Sequence, residues 1–339
     1  MYHSSVMKRV NHFMNKQMKT IGVLTSGGDA PGMNAAIRAV VRYGLSKGMK
    51  MVGIRRGFSG LVNKEFIDLH ESSVSHVIDK GGTFLYSARC PEFKEEAVVE
   101  KAKQNCIERG IDGLIVIGGD GSFRGARDLS LKGLPCVGIP GTIDNDISST
   151  DYTIGYDTAM NTVVDMVDKL RDTMESHERC SVVEVMGRHA GHIALNTGIA
   201  CGASAIITLE EEFDFERDVV ARIERSRTLP HPKTHFIIMV SEGYGKSVEL
   251  AKMIEERTGV ESRAAILGHV QRGGAPTLRD RILATRLGCH AVELLSQGIG
   301  NRVVGIRKDE IVDYDILEGL NMKKEFDHEL YELSKIISL

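Results

Sequence analysis

Short apolar runs alternate along this chain with longer stretches whose apolar residues recur every three or four positions. The runs at 21–25, 51–54, 113–117, 136–139, 181–185, 205–209, 236–240, 264–267 and 303–305 read as strands. Between them, 33–46, 95–109, 123–131, 156–174, 190–200, 215–225, 248–257 and 279–295 read as helices. Leu114-Ile115-Val116-Ile117 is apolar on both faces, as a parallel strand covered by helices above and below requires. The alternation predicts an α/β architecture of doubly wound, mostly parallel sheets with right-handed crossovers. Ligands of such sheets sit beyond the carboxyl ends of the strands. At 339 residues the chain is too long for one core, so two domains are expected.

Composition narrows the function classes. With 36 glycines against 7 prolines, tight loops are favoured over disordered low-complexity linkers. A net charge of -3 leaves no basic footprint for nucleic acid, so local arginines must hold any anionic ligand. No apolar run reaches the roughly 18 residues of a membrane span. Cys90, Cys106, Cys136, Cys180, Cys201 and Cys289 show no C-x-x-C spacing. They read as free thiols in a reducing, cytoplasmic setting. Residues 1–17 are polar with no apolar centre, and are expected to be a flexible extension without chemistry.

Three runs place glycines beside carboxylates, each after a predicted strand. They are Thr25-Ser26-Gly27-Gly28-Asp29-Ala30-Pro31-Gly32, Gly118-Gly119-Asp120-Gly121-Ser122 and Pro140-Gly141-Thr142-Ile143-Asp144-Asn145-Asp146. Glycine lets backbone N–H groups approach a phosphate. An aspartate there repels phosphate, but it can hold Mg²⁺ or take a proton from an attacking hydroxyl. Each run also has a plainer reading. The first is a βα turn, the second a turn in which Ser122 caps the next helix, the third an Asx-rich turn. In an extended segment Asp144 and Asp146 project to the same side, so one serves as base while the other tunes it or reaches the metal. Met186-Gly187-Arg188, Glu242, Arg263 and Gly268-His269-Val270-Gln271-Arg272-Gly273-Gly274 also follow or end strands, and Arg89 is a further candidate; arginine's planar fork matches phosphate. Gly245-Lys246-Ser247 is not a P-loop, because Val240 stands where its first glycine belongs. His189 and His192 lack a third ligand for a metal.

Together these blocks carry a resemblance. From 18 to about 337 the chain resembles the bacterial-type ATP-dependent 6-phosphofructokinase family, with collinear agreement at 21–34, 81–89, 116–122, 140–146, 182–188 and 267–274. The resemblance implies two Rossmann-like domains with repeated chain crossings: 18–155 plus about 271–321 for ATP, and about 156–270 plus 322–339 for fructose 6-phosphate. It implies transfer of phosphate from MgATP to the sugar's 1-hydroxyl, the committed step of glycolysis. Gly28, Arg89, Cys90, Gly119, Asp120, Gly121 and Ser122 would line the ATP site, with Asp120 holding Mg²⁺. Thr142, Ile143 and Asp144 would meet the reacting groups, with Asp144 as base. Met186, Gly187, Arg188 and Glu242 would bind the sugar, and His269, Val270, Gln271, Arg272, Arg179 and Arg263 would surround its 6-phosphate. In the family Arg179 and Arg263 come from a neighbouring subunit, which implies a homotetramer.

Pyrophosphate-using relatives carry Asp at the place of Gly121 and Lys at that of Gly141. Two glycines leave room for the nucleotide, which favours ATP. A pyrophosphate-dependent kinase remains the nearest alternative, and a catalytically weak nucleotide-sensing homologue the non-enzyme one. The family's effector site is expected at Arg38, Arg42, Arg171 and Lys233. Glu71 replaces an arginine there and Ser204 a glutamate that serves the effector's Mg²⁺, which predicts weak or absent activation by ADP.

Overall fold

The structure, a computed structural model, describes residues 18–338, so the expected extension at 1–17 lies outside the described residues. The chain forms β1 (Thr20–Ser26), α1 (Met33–Ser46), β2 (Lys50–Ile54), α2 (Gly57–Val62), β3 (Phe66–Leu69), α3 (Glu96–Arg109), β4 (Gly113–Gly118), α4 (Asp120–Leu131) and β5 (Cys136–Pro140). It continues through α5 (Tyr156–His177), β6 (Cys180–Val185), α6 (His192–Ala200), β7 (Ala205–Ile207), α7 (Ala221–Arg227), β8 (Phe236–Ser241), α8 (Ser247–Thr258) and β9 (Ser262–Ile266). The last elements are α9 (Leu278–Ser296), β10 (Arg302–Arg307), β11 (Glu310–Asp315), α10 (Ile316–Asn321) and α11 (His328–Ile337).

Two compact units result. The first takes in the described residues up to Thr142, then Asp146–Gly155 and Gly274–Lys324; the second takes in Ile143–Asn145, Tyr156–Gly273 and the residues from Glu325 onward. The late crossings thus fall after Gly273 and Lys324, a few residues beyond the expected positions.

The first unit holds a seven-stranded sheet in the order β11-β10-β5-β4-β1-β2-β3. Its central strands are parallel, while β3 and β11 run antiparallel at the two edges. Neither edge strand stands out in the sequence. β3 has four residues, and β11 is Glu-Ile-Val-Asp-Tyr-Asp, whose acidic residues conceal its alternation and suit an edge. The buried cluster of this unit includes Leu24, Phe58, Phe93, Leu114, Val116 and Phe123. Phe58 and Phe93 stack at 4.3 Å between ring centres. Truncating an aromatic buried as Phe123 is costs about 3–5 kcal/mol. α1 packs on α9, where a Cβ on Gly288 would lie 2.9 Å from the Ala39 methyl.

The second unit holds a four-stranded parallel sheet in the order β7-β8-β6-β9. Val182, Ile207, Phe236, Ile238 and Val240 pack with Ile223, Leu250 and Ile254. The helix expected at 215–225 opens with a wider π turn at Glu216–Val220 before α7. No described helix is long and apolar enough to cross a membrane.

In the first unit the segment after β5 is stitched to its own start. Ile154 N donates to Pro140 O (3.0 Å), and Thr153 Oγ1 donates to Thr142 O (2.6 Å). Half-buried Lys324 donates through Nζ to Thr150 O (3.0 Å) and Asp151 O (3.2 Å). Burial pulls its pKa down from 10.5 to about 8, with Arg307 pushing the same way against Asp151 and Asp146. Between those values the unfolded chain holds more protons than the folded one, so stability rises with pH across that window. Urea unfolding of the wild type should therefore gain free energy relative to Lys324→Met between about pH 8 and 10.5. A flat or falling difference would contradict a desolvated lysine.

Candidate active site

The rim of the first unit is built around the ends of β1 and β4. Gly27 and Gly28 follow β1 and are exposed, with Gly27 at φ 86. Ser87 Oγ donates to Gly27 O (2.5 Å), and Thr25 Oγ1 donates to Tyr86 O (2.9 Å). These bonds seat the segment leading to exposed Arg89 on the end of β1. Asn34, buried in the first turn of α1, holds the same segment from behind. Its Nδ2 donates to Lys80 O and Gly81 O at 3.1 Å each, and its Oδ1 accepts from Phe84 N at 2.9 Å. Sequence reasoning gave Asn34 no role; a lone amide at the head of the apolar run 35–41 was the available signal. Burial, aided by Glu92, pushes the Cys90 thiol up to about 11, so it is neutral and offers contact rather than nucleophilicity.

The run after β4 differs from expectation. Ser122 does not cap α4, because the helix begins at Asp120 with Gly119 as its N-cap. The buried Ser122 hydroxyl instead donates to Ser26 O at 3.0 Å, tying the helix start to the end of β1. Asp120 lies in the first helical turn, where the dipole favours a carboxylate. Its side chain is 45% exposed and pairs with Arg124 at 2.9 Å. Among the described residues no group of three His, Cys, Asp or Glu is placed to hold a metal. A lone accessible carboxylate suits Mg²⁺, which keeps waters and takes its other oxygens from a substrate's phosphates. A Cβ on Gly121 would meet nothing within 4 Å. At Gly141 it would press on Ile117 and Met33 at 3.1–3.2 Å, so packing alone favours glycine there.

The end of β5 lies beside this turn. A Cβ on Gly119 would sit 3.7 Å from Thr142 Cβ. The segment after Thr142 is not extended as expected. It bends at 143–144, and Asn145 is left-handed at φ 52, so Asp144 and Asp146 do not share a side by simple alternation. Ile143 and Asp144 are buried, Asp144 at 7% exposure.

The second unit has its own rim. Met186-Gly187-Arg188 follows β6, with Gly187 at φ 138 and Arg188 at φ 58. Glu242, after β8, accepts Gly187 N (3.2 Å) and Arg188 N (2.5 Å) on Oε1, holding this left-handed turn. Exposed His269 and Val270 and half-buried Arg272 lie in the turn after β9. Gln271 is wholly buried: Oε1 accepts Met186 N (3.1 Å) and Nε2 donates to Gly268 O (3.0 Å). It joins two rim loops rather than facing a ligand.

Arg179 and Arg263 do not join that rim. Arg179 precedes β6 and Arg263 is the second residue of β9, so both stand at the amino ends of parallel strands. Four to six strand residues, roughly 13–20 Å, separate them from the carboxyl ends. Glu261 grips both, at 2.8 Å from Arg179 and 2.7 Å from Arg263, and Arg179 leads in pulling its pKa down.

The expected effector residues divide between the units. Arg38 and Arg42 lie on α1 of the first, and Glu71 is exposed there. In the second, Lys233 donates to buried Ser204 Oγ (3.1 Å). Burial, then Arg171, lowers the Lys233 pKa.

A family model described as phosphofructokinase matches residues 20–295. The chain belongs to the phosphofructokinase family. The ATP-dependent 6-phosphofructokinase of Bacillus cytotoxicus is 54% identical over 322 residues, covering 95% of this chain and all of the relative. That of Bacillus thuringiensis matches to the same extent. The solved phosphofructokinase of Saccharomyces cerevisiae superposes with a TM-score of 0.79 at 34% identity. That match covers 94% of this chain and 48% of the yeast chain, so this chain spans about half the yeast length. The pyrophosphate-dependent phosphofructokinase of Marinobacter aquaeolei gives a TM-score of 0.82 at 23% identity, covering 92% of this chain and 86% of that one, which speaks to fold alone. The α/β phosphofructokinase fold expected from the sequence is thus present.

In this phosphofructokinase family member the Arg188 turn depends on backbone freedom at Gly187. A Cβ there would strike Ala190 O as well as strain the left-handed backbone. Gly187→Ala should cost about 1–3 kcal/mol in urea unfolding. A loss below about 0.5 kcal/mol, the range of an ordinary surface substitution, would show that the turn is not so constrained.

Proposed function

We propose that the chain is an ATP-dependent 6-phosphofructokinase, moving the γ-phosphoryl of MgATP to the 1-hydroxyl of fructose 6-phosphate. The observation that carries this is the agreement with ATP-dependent relatives over their whole length, joined to the open space at Gly121. A charged side chain at that position would project into the space beyond the helix start, where a nucleotide's inner phosphates would lie. Gly28 and Gly119–Ser122 supply backbone N–H groups and a helix start to the phosphates. Arg89 supplies positive charge from the segment seated on β1. Asp120 would hold Mg²⁺, and that ion would neutralise charge developing between the β- and γ-phosphates.

Asp144 is the base that accepts the sugar hydroxyl proton. It follows Thr142 by two residues, which the chain cannot stretch beyond roughly 7 Å. Met186, Gly187, Arg188 and Glu242 receive the sugar, with Glu242 also fixing the turn that presents Arg188. His269 and Arg272 meet the 6-phosphate. Arg179 and Arg263 stand at the far ends of their strands, which supports their serving the site of a neighbouring copy, and with it a homotetramer. The burial of the free thiols Cys106, Cys136, Cys180 and Cys201 supports a cytoplasmic setting.

Base catalysis is typically worth 10²- to 10⁴-fold. Asp144→Ser should lower kcat by at least about 100-fold while KM for either substrate stays within about threefold. A kcat loss under about tenfold would remove Asp144 from the base role.

Regulation follows the altered effector residues. Ser204 sets a neutral hydroxyl against Lys233 where the family has a carboxylate for the effector's Mg²⁺, and Glu71 puts a negative charge where the family has an arginine for the effector's phosphates. Initial rates at subsaturating fructose 6-phosphate should change little on adding MgADP. A clear rise would show that the effector site works despite both changes.

A further inference from the structure

The loop that carries Asp144 leaves β5 and returns to it within about a dozen residues. Its neck is closed by Ile154 N on Pro140 O and Thr153 Oγ1 on Thr142 O. A closed neck alone leaves the intervening backbone free to rearrange. The returning half is fastened from three further sides. β10 takes one: Asp151 N donates to Ile306 O (2.8 Å), Ile306 N to Thr150 Oγ1 (3.0 Å), and the Arg307 guanidinium to Ser148 O (2.7 Å). The start of α9 takes another: the Arg279 guanidinium lies over the Tyr152 ring at 3.6 Å, and Asp280 Oδ1 accepts Gly155 N (2.9 Å). The third is Lys324, whose Nζ reaches the successive carbonyls of Thr150 and Asp151. Two adjacent carbonyls turned to one point ask for a donor with several protons, which an ammonium has and a thioether lacks.

We propose that Lys324 is a positioning residue for Asp144: by bridging the carbonyls of Thr150 and Asp151 it fixes the returning half of the loop on which the base is carried. The role rests on the phosphofructokinase reading above. Lys324 is the last residue of the first unit's final segment, and Glu325 begins a stretch of the second. The charged groups facing it are Asp146 and Asp151 from the loop and Arg307 from β10. None of these three reaches the same pair of carbonyls in its place.

The test is a double-mutant cycle read by steady-state kinetics with MgATP and fructose 6-phosphate, on the wild type, Lys324→Met, Asp144→Ser and the double variant. Lys324→Met should lower kcat roughly tenfold with KM for MgATP within about twofold, as expected when a reacting group is misplaced rather than removed. Lys324→Arg, which can span both carbonyls, should recover kcat to within about threefold. In the Asp144→Ser background the Lys324→Met change should have no further effect, because the group it positions is gone. A kcat for Lys324→Met within about twofold of wild type, or an undiminished loss on top of Asp144→Ser, overturns the proposal. Should the methionine variant not fold, Lys324→Gln replaces it in the same cycle with the same criteria. A wild type that forms no fructose bisphosphate fails the functional reading itself, and the positioning role with it.

Discussion

At Gly118 the end of β4 runs so close to the end of β1 that a methyl group would collide with Ser26 O and with Ser122 Oγ. The same approach lets Ser122 donate to Ser26 O, and the strands pair in register at Ser26 and Gly118. The first turn of α4 is thereby pinned against the glycine turn that follows β1. Asp120, Gly121 and Gly27 are positioned by this contact, and Thr142 comes next to Gly119 from the adjoining strand. A rim with few side chains is a consequence of backbone crowding first and of ligand chemistry second. What the crowding leaves exposed is N–H groups, a helix start and one carboxylate, the groups proposed above to meet the nucleotide's phosphates and Mg²⁺.

The second unit solves the complementary problem with side chains. Its turns are held by half-buried Glu242 and buried Gln271, whose partners are backbone atoms. Glu242 accepts two amides of the Arg188 turn, and Gln271 joins the turn after β9 to that after β6. Arg188 sits in a left-handed conformation that costs a non-glycine residue energy, and the Glu242 carboxylate offsets it. Arg179 and Arg263, also expected at the sugar phosphate, both pair with Glu261 at the opposite ends of their strands. Within one chain that geometry separates them from the turn after β9.

Much of this was legible in the residues. Doubly apolar runs such as 114–117 announce parallel strands, and glycines after them announce the rim. What was not legible depended on tertiary partners. Ser122 looks like a helix cap by spacing, yet its hydroxyl is claimed by Ser26 across the sheet. Asp144 and Asp146 look like an alternating pair, yet Asn145 turns the backbone left-handed between them. The edge strands β3 and β11 carry too many charged or too few residues to show a period. Asn34 and Gln271 act through backbone atoms far away in sequence, which no local spacing records. In the sequence Arg263 groups with residues at strand ends, but β9 starts at Ser262, two residues before the apolar run 264–267, and holds it at the amino end.

The bare position at Gly121, where a Cβ would meet nothing within 4 Å, is proposed to admit a nucleotide rather than close around a shorter donor. Initial rates of fructose bisphosphate formation with MgATP and with magnesium pyrophosphate, at equal fructose 6-phosphate, test it most directly. The account predicts turnover with ATP and none above background with pyrophosphate. Turnover driven by pyrophosphate in the absence of nucleotide would contradict it.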